Sequence, residues 1–376
     1  PAAPRAMTPR ILVTAGEPSG DLHAAHIVTA LRARLPGAII EAVGGPHTER
    51  AGAVLRRSIE GLSAMGLVEI LDKLPAHVRL LRMLTADFRA GRYDLLITVD
   101  YPGFHLRLAE SAKRHGVPVL WYIAPQLWAW RPQRAARLAR AVDRLAVILP
   151  FEAEFFASAG VEATYVGHPL ADRGPAPDRA AVRARLGIAP SARTLALFPG
   201  SREGEVRRLW PAYRDAAQLL LKQGACTEVL IAGTEGREYP GAEGMRVVRD
   251  DSSSVLAAAD AALAKSGTTT LEAVMAGVPM VVAYRVHPLT YLLARRLVTV
   301  QWVSLVNLIA NRSVVPELLQ GESTPARLAA AIAPLLDVDH PARRAQLDGL
   351  AEVRQRVGGP GASGRVAEIA AELLAA

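Results

Sequence analysis

Along most of this chain, short apolar runs stop at a small or acidic residue and give way to segments with helical apolar spacing. Arg10-Ile11-Leu12-Val13-Thr14-Ala15 ends at Gly16, and Asp21 to Leu35 then places Leu22, Ala25, Val28, Leu31 and Leu35 on one helix face. The pattern returns at Ala38 to Val43, at Leu95 to Val99 before Asp100, at Val117 to Tyr122 and at Leu145 to Leu149. Parallel strands need crossover connections, so strands that alternate with helices predict a mostly parallel, doubly wound α/β sheet.

Between Gly167 and Asp178, prolines and glycines suppress helix and strand alike. A second alternating series follows at Thr194 to Phe198, Glu228 to Ala232, Met245 to Val248, Ala261 to Lys265 and Pro279 to Tyr284, with a helix at Ala326 to Leu336. The chain's 376 residues also exceed one ordinary domain. The expected organisation is a Pro- and Ala-rich leader at 1–9, with Met7 as a start, then Rossmann-like lobes at 10–167 and 168–355. A terminal helix, 366–374, is expected to pack on the first lobe or on a partner.

Composition narrows the function classes. No segment reaches the roughly 20 uninterrupted apolar residues of a membrane span. The formal charge of +8 comes with abundant Arg and Ala, as a biased codon usage would give, and no basic run is interleaved with aromatics, so nucleic acid is not an expected partner. A single cysteine, Cys226, excludes an internal disulfide and suits a reducing cytoplasm; the leader lacks the apolar core of an export signal. No metal is expected: His23 and His26 lack a third ligand, and Asp337-Val338-Asp339 sits in a Pro-flanked connection.

Open α/β sheets bind ligands beyond the carboxyl ends of their strands, which makes the strand-to-helix loops site candidates. In Lys265-Ser266-Gly267-Thr268-Thr269-Thr270-Leu271-Glu272, small residues would let phosphate oxygens reach a helix N-terminus, and Glu272 lies where a carboxylate could accept from ribose hydroxyls. Read alone, the same loop is also a Ser/Thr-capped structural helix. In Pro199-Gly200-Ser201-Arg202, the guanidinium supplies a two-pronged donor for a departing diphosphate, and a surface turn is the alternative. Gly16-Glu17-Pro18-Ser19-Gly20 has neither dinucleotide-binding spacing nor a P-loop lysine, and reads as a loop facing sugar or phosphate, with Glu17 otherwise a capping carboxylate. Asp100 is a candidate general base or a helix cap. Trp121, Trp128 and Trp130 read as packing at the lobe interface, with a ring-stacking platform as the alternative. The stripe from Leu62 to Leu84, including Met65, Leu67, Val68, Leu71 and Leu74, suits acyl chains or a membrane surface, or else a core.

Several strings occur in order: Ala15-Gly16-Glu17-Pro18-Ser19-Gly20-Asp21, Ala124-Pro125-Gln126-Leu127-Trp128-Ala129-Trp130, Gly167-His168-Pro169-Leu170, Phe198-Pro199-Gly200-Ser201-Arg202, Ser266-Gly267-Thr268 through Glu272, Pro279 through Arg285, and Val303-Ser304-Leu305 through Ala310. Together they resemble the lipid-A-disaccharide synthase family over about Arg10 to Gln320. The resemblance implies a GT-B fold, two Rossmann-like domains facing across a cleft, and metal-independent, cofactor-free transfer with inversion. It implies UDP-2,3-diacylglucosamine as donor, 2,3-diacylglucosamine 1-phosphate as acceptor, and UDP and the β-1,6-linked lipid A disaccharide 1-phosphate as products. Catalytic importance carries over onto Asp100, Arg202 and Asn307. The donor site takes in Gly200, Ser201, Arg202, Ser266, Gly267, Thr268, Thr269 and Glu272, with Gly16, Glu17, Ser19 and Gly20 on the acceptor side. It further implies a peripheral enzyme at the inner face of the cytoplasmic membrane, and homodimers with exchanged C-terminal segments. His105, Val306 and Asn311 depart from the frequent Asn, Pro and Gly of the pattern. The competing readings are another GT-B transferase, a UDP-N-acetylglucosamine epimerase and a non-catalytic nucleotide-binding module.

Overall fold

The computed structural model describes residues 8–60, 67–174, 176–249, 251–288, 291–292 and 297–376, with the backbone alone at 67–72. The chain divides into a first unit, residues up to Asp172 together with Gly359–Ala376, and a second unit, Arg173–Gly358.

The first unit is built on β1 (Arg10–Thr14), β2 (Ile39–Gly44), β3 (Val54–Ser58), β4 (Leu95–Val99), β5 (Val119–Tyr122), β6 (Arg144–Val147) and β7 (Ala163–Tyr165). They form a seven-stranded sheet in the order β3-β2-β1-β4-β5-β6-β7, parallel throughout. A parallel sheet covered on both faces wants uninterrupted apolar strands, and Ile11, Leu12, Val13, Leu95, Leu96 and Ile97 are all fully buried. The helix Pro18–Arg34 contributes Ala24, Ile27, Val28 and Leu31 to one core cluster, and the C-terminal helix Ala362–Ala375 returns to add Val366, Ala367, Ile369 and Ala370 to it. The start of that last helix is tied down by Asp172, whose carboxylate accepts from the N–H of Gly361 at 2.5 Å and of Ala362 at 3.3 Å. Arg365 also donates to the Val166 carbonyl at 2.8 Å.

The second unit contains β8 (Thr194–Phe198), β9 (Glu228–Ala232), β10 (Arg246–Val248), β11 (Ala261–Lys265), β12 (Met280–Tyr284) and β13 (Glu317–Leu319) in the parallel order β10-β9-β8-β11-β12-β13. Its core joins Leu195, Leu197 and Leu263 of the sheet to Leu209, Trp210 and Tyr213 of the helix Glu203–Lys222 and to Leu328, Ile332 and Leu335 of the helix Pro325–Leu336.

The strand order reverses between β1 and β4 in the first sheet and between β8 and β11 in the second. At such a reversal neighbouring crossovers run to opposite faces and leave a crevice beyond the strand ends. The loops entering these crevices are those after β1 and β4, and those after β8 and β11. The expected α/β class with two Rossmann-like sheets is therefore what forms. The edge strands β3, β7 and β13 and the helix Pro341–Val357 went unread, since β7 and β13 are only three residues long and arginines interrupt the apolar pattern of β3 and of the helix. Asp337 to Asp339 forms a local turn in which the Asp339 N–H donates to Asp337 at 3.1 Å. Among the described residues no helix is long and apolar enough to cross a membrane, and no group of three or more His, Cys, Asp or Glu could hold a metal ion.

Candidate functional site

In the second unit the loops after β8 and β11 border a cavity of about 390 Å³. Gly200, Ser201, Arg202, Gly267, Thr268, Thr269 and Glu272 line it, joined by Glu205, Lys265, Gly233, Thr234 and Ser252. The first loop depends on glycine: Gly200 has φ +114°, and a Cβ there would lie 2.7 Å from the Cβ and Oε2 of Glu205. Glu205 needs that proximity. Its carboxylate accepts the Arg202 N–H at 3.3 Å, pairs with Lys265 Nζ at 2.9 Å and lies 3.7 Å from the Arg202 guanidinium. Burial works against ionisation of Glu205, yet the hydrogen bond and charge of Lys265, with the N–H and charge of Arg202, keep its carboxyl below the usual range. The Arg202 side chain itself stays 72% exposed, so the carboxylate holds the loop while the guanidinium remains open to the cavity.

The helix Thr268–Ala276 is not capped by a side chain. Gly267 is its N-cap and has no side chain to accept from it, and the Thr270 hydroxyl donates to the Gly267 carbonyl at 2.8 Å. The first N–H groups of a helix have no partner within it. Here the Thr270 N–H turns back to the Gly267 carbonyl at 3.1 Å, and Thr268 and Thr269 line the cavity. Ser266 differs from its neighbours: its hydroxyl donates to the Val303 carbonyl at 2.7 Å, which braces the loop. Glu272 lines the cavity, pairs with Arg173 at 2.8 Å and accepts from the Ser252 hydroxyl at 3.0 Å.

Asn307, expected among the catalytic residues, is fully buried with its amide saturated. Its Nδ2 donates to the Val315 carbonyl at 2.9 Å and to Glu317 at 2.8 Å, and its Oδ1 accepts from the N–H groups of Val314 at 2.7 Å and Val315 at 2.9 Å. Glu317 in turn accepts from the N–H of Val303 and of Ser304, both at 2.9 Å. In this structure Asn307 thus spends its amide on internal hydrogen bonds, and through Glu317 it holds the turn on which Ser266 rests.

In the first unit, Asp100 and Tyr101 follow β4 with φ of 48° and 53°, a left-handed pair without glycine. The Tyr101 ring covers Gly16, where a Cβ would lie 2.2 Å from ring carbon Cδ1, so only glycine permits the closure. The Tyr101 hydroxyl lies 3.0 Å from His77 Nε2; since His77 Nδ1 is 2.9 Å from the Lys73 carbonyl and must donate there, Nε2 accepts. Asp100 is exposed by surface area, yet protein crowds its carboxyl. That loss of solvation, with the like charge of Glu17, lifts its carboxyl to about 6 against a hydrogen bond from the Tyr101 N–H. Glu17 is the N-cap of the helix Pro18–Arg34 but makes no side-chain cap, and it and Ser19 are exposed, whereas Gly16 and Gly20 are buried.

Trp121 and Trp128 are core residues with their N–H groups bonded to the Ile123 carbonyl and to Glu152, and Trp130 is exposed. On the helix Leu67–Arg89, Leu74 and Met83 are exposed. Met65 and the side chains of Leu67, Val68 and Leu71 lie outside the described residues.

Lys265, Glu205 and Thr234 were not singled out in the sequence. A lysine closing the apolar run Ala261-Ala262-Leu263-Ala264 was the available signal for the first; nothing local marked the other two.

Structures of low sequence identity share the fold. A glycotransferase of kitacinnamycin aligns with a TM-score of 0.66 at 18% identity over 99% of this chain and 100% of that one. A UDP-GlcNAc 2-epimerase from Neisseria meningitidis bound to UDP-GlcNAc aligns with a TM-score of 0.64 at 10% identity over 97% and 99%. At the level of sequence, a lipid-A-disaccharide synthase of Myxococcus xanthus (strain DK1622) is 45% identical over 375 residues, covering 97% of this chain and 98% of that protein. One from Geobacter metallireducens is 40% identical over 378 residues, covering 97% of each. The family model for lipid-A-disaccharide synthetase matches residues 11–359. With the family model spanning both sheets and their loops, and the epimerase likeness one of fold alone, the chain belongs to the lipid-A-disaccharide synthetase family.

Proposed function

We propose a division of labour for the glycosyl transfer by which this family makes the lipid A disaccharide: the second unit holds the UDP of the donor, and the first unit activates the acceptor. One observation carries the reading. An uncapped helix N-terminus and the cations Arg202 and Lys265 converge on a single cavity, an arrangement suited to a diphosphate. Glu272 would accept from the ribose hydroxyls, exchanging its present bond with Ser252.

The acceptor's 6-hydroxyl loses its proton to Asp100 as its oxygen bonds to the donor's anomeric carbon. The bond from that carbon to the diphosphate oxygen breaks, and the electron pair leaves with UDP. Attack opposite the leaving group inverts the configuration. Asp100 suits the base role because its raised carboxyl is ionised at neutral pH yet more basic than an ordinary aspartate. Arg202, Lys265 and the helix N–H groups offset charge where it grows on the diphosphate.

Exposed Leu74 and Met83, beside a groove of about 300 Å³ lined by Arg57 and Arg79, support contact of this face with acyl chains at the cytoplasmic surface of the inner membrane. The deciding experiment incubates purified protein with UDP-2,3-diacylglucosamine and 2,3-diacylglucosamine 1-phosphate, with and without chelator. Disaccharide and UDP in equal amounts are expected in both. UDP release without disaccharide would reject transfer, and loss of activity to chelator would reject metal-independent chemistry.

A further inference from the structure

His105, on the helix Pro102–Arg114, is fully buried and is not used in the chemistry above. Its Nδ1 lies 2.6 Å from the Asp100 carbonyl oxygen. A carbonyl can only accept, so the proton sits on Nδ1. The surroundings keep the ring neutral: burial pushes the imidazole down to about 4, opposed by the bond to Asp100. Nε2 is therefore bare, and it has no hydrogen-bond partner; the rings of Tyr101, Phe104 and Trp121 stand around the imidazole, with ring centroids 5.8, 5.8 and 6.0 Å from its own. A buried acceptor left unpaired is unfavourable. What offsets it is the bond on the other nitrogen.

That bond ends on the strained turn. Non-glycine residues avoid the left-handed region, and Asp100 and Tyr101 occupy it in succession. The Asp100 N–H donates to the Tyr122 carbonyl at 2.9 Å, the Asp100 carbonyl accepts from His105 Nδ1, and the Tyr101 carbonyl accepts the His105 N–H at 3.1 Å. Both carbonyls of the turn are thus held by one residue. We propose that His105 is a positioning residue: its Nδ1–H fixes the left-handed turn and so aims the Asp100 carboxylate at the acceptor hydroxyl. The inference rests on Asp100 being the base.

The test compares His105→Asn, His105→Leu and Asp100→Asn in the full chain, with kcat and KM across pH and imidazole nitrogen NMR of the parent, assigned by the signal lost in His105→Asn. Asparagine Nδ2 is as many bonds from the backbone as histidine Nδ1 and keeps the donor; leucine fills the apolar pocket without one. His105→Leu is expected to lower kcat roughly 10- to 100-fold with KM little changed, the scale of a displaced catalytic group. Its acid limb should move to lower pH, because a released carboxyl regains water. His105→Asn restores most of the rate, and the parent ring carries its proton on Nδ1 through the pH range where free imidazole titrates. A folded His105→Leu with parental kcat and acid limb, or a parent proton on Nε2, overturns the proposal. If His105→Leu does not fold, the parent tautomer and the His105→Asn rate decide it. Parental turnover in Asp100→Asn would instead sink the base assignment and leave the tautomer result standing.

Discussion

At the scale of single residues, the site is a set of charges held in place by backbone conformations that other residues resist. Asp100 shows the tension most directly. Its folded carboxyl titrates at about 6 rather than the ordinary 3.8, so the folded state binds the proton more tightly than the unfolded chain does. Stability is therefore lost as pH rises through that interval, and the loss is complete above the folded value. Asparagine tolerates the left-handed turn and carries no charge. Asp100→Asn should melt a few degrees higher than the parent above pH about 6, with the advantage fading toward pH about 4, while turning over at least ~100-fold more slowly. Melting curves and rates on the same preparations check both halves. An equal melting temperature at neutral pH would mean that Asp100 bears no desolvation cost.

Lys265 and Arg202 should separate kinetically. Lys265 is anchored to Glu205 at 2.9 Å and faces the cavity from a strand end, whereas Arg202 is largely exposed on its loop. Lys265→Met removes a fixed charge that meets the bound diphosphate before and during reaction, so it should raise the KM for UDP-sugar as well as lower kcat. Arg202→Ala should act mainly on kcat, by roughly 100-fold or more. Equal effects of the two on KM would argue against this ordering.

At the scale of elements, legibility followed burial. Central strands such as β4 and β8 are buried at every position and read directly as apolar runs, and the loops leaving them could be placed at once. Edge strands are half exposed, and in β3 the arginines Arg56 and Arg57 hide the pattern. Polar side chains were harder, because sequence does not say where a hydrogen bond is spent. Ser266 and Asn307 were expected at the site from their motifs, and only the fold shows the internal hydrogen bonds they make, while Glu205 became visible only once folding set it beside Gly200 and Lys265. The bonds of Asn307 make their own prediction. Asn307→Ala leaves the N–H groups of Val314 and Val315 without their acceptor in the core, which should cost about 2–4 kcal/mol, read from denaturant unfolding of the second unit. If stability is unchanged and only turnover falls, Asn307 acts on substrate after all. The helix Leu67–Arg89 is tested separately: Leu74→Ser with Met83→Ser should weaken binding to anionic vesicles while the protein stays monodisperse. Undiminished binding would move the membrane contact elsewhere.

At the scale of the whole molecule, the chain leaves the first unit at Asp172, builds the second, and returns at Gly359 to finish the first. The returning helix Ala362–Ala375 places Val366, Ala367, Ile369 and Ala370 in the same core as Ile27, Val28 and Leu31. Without it, the covered face of a parallel sheet would meet water. A chain ended at Gly358 should therefore lose cooperative unfolding of the first unit and keep that of the second, whose core contains no residue beyond Gly358. Differential calorimetry should show one transition surviving, and a peptide of residues 359–376 added in trans should restore the other. The restoration should fail in Asp172→Ala, which removes the acceptor for the N–H groups of Gly361 and Ala362. A helix that docks in trans from a peptide could equally dock from a second copy of the chain, so the same contacts would serve the exchanged dimers expected from the family resemblance. Retention of both transitions in the truncated chain would show that the sheet is covered well enough without its last helix, and would remove the physical basis for exchange.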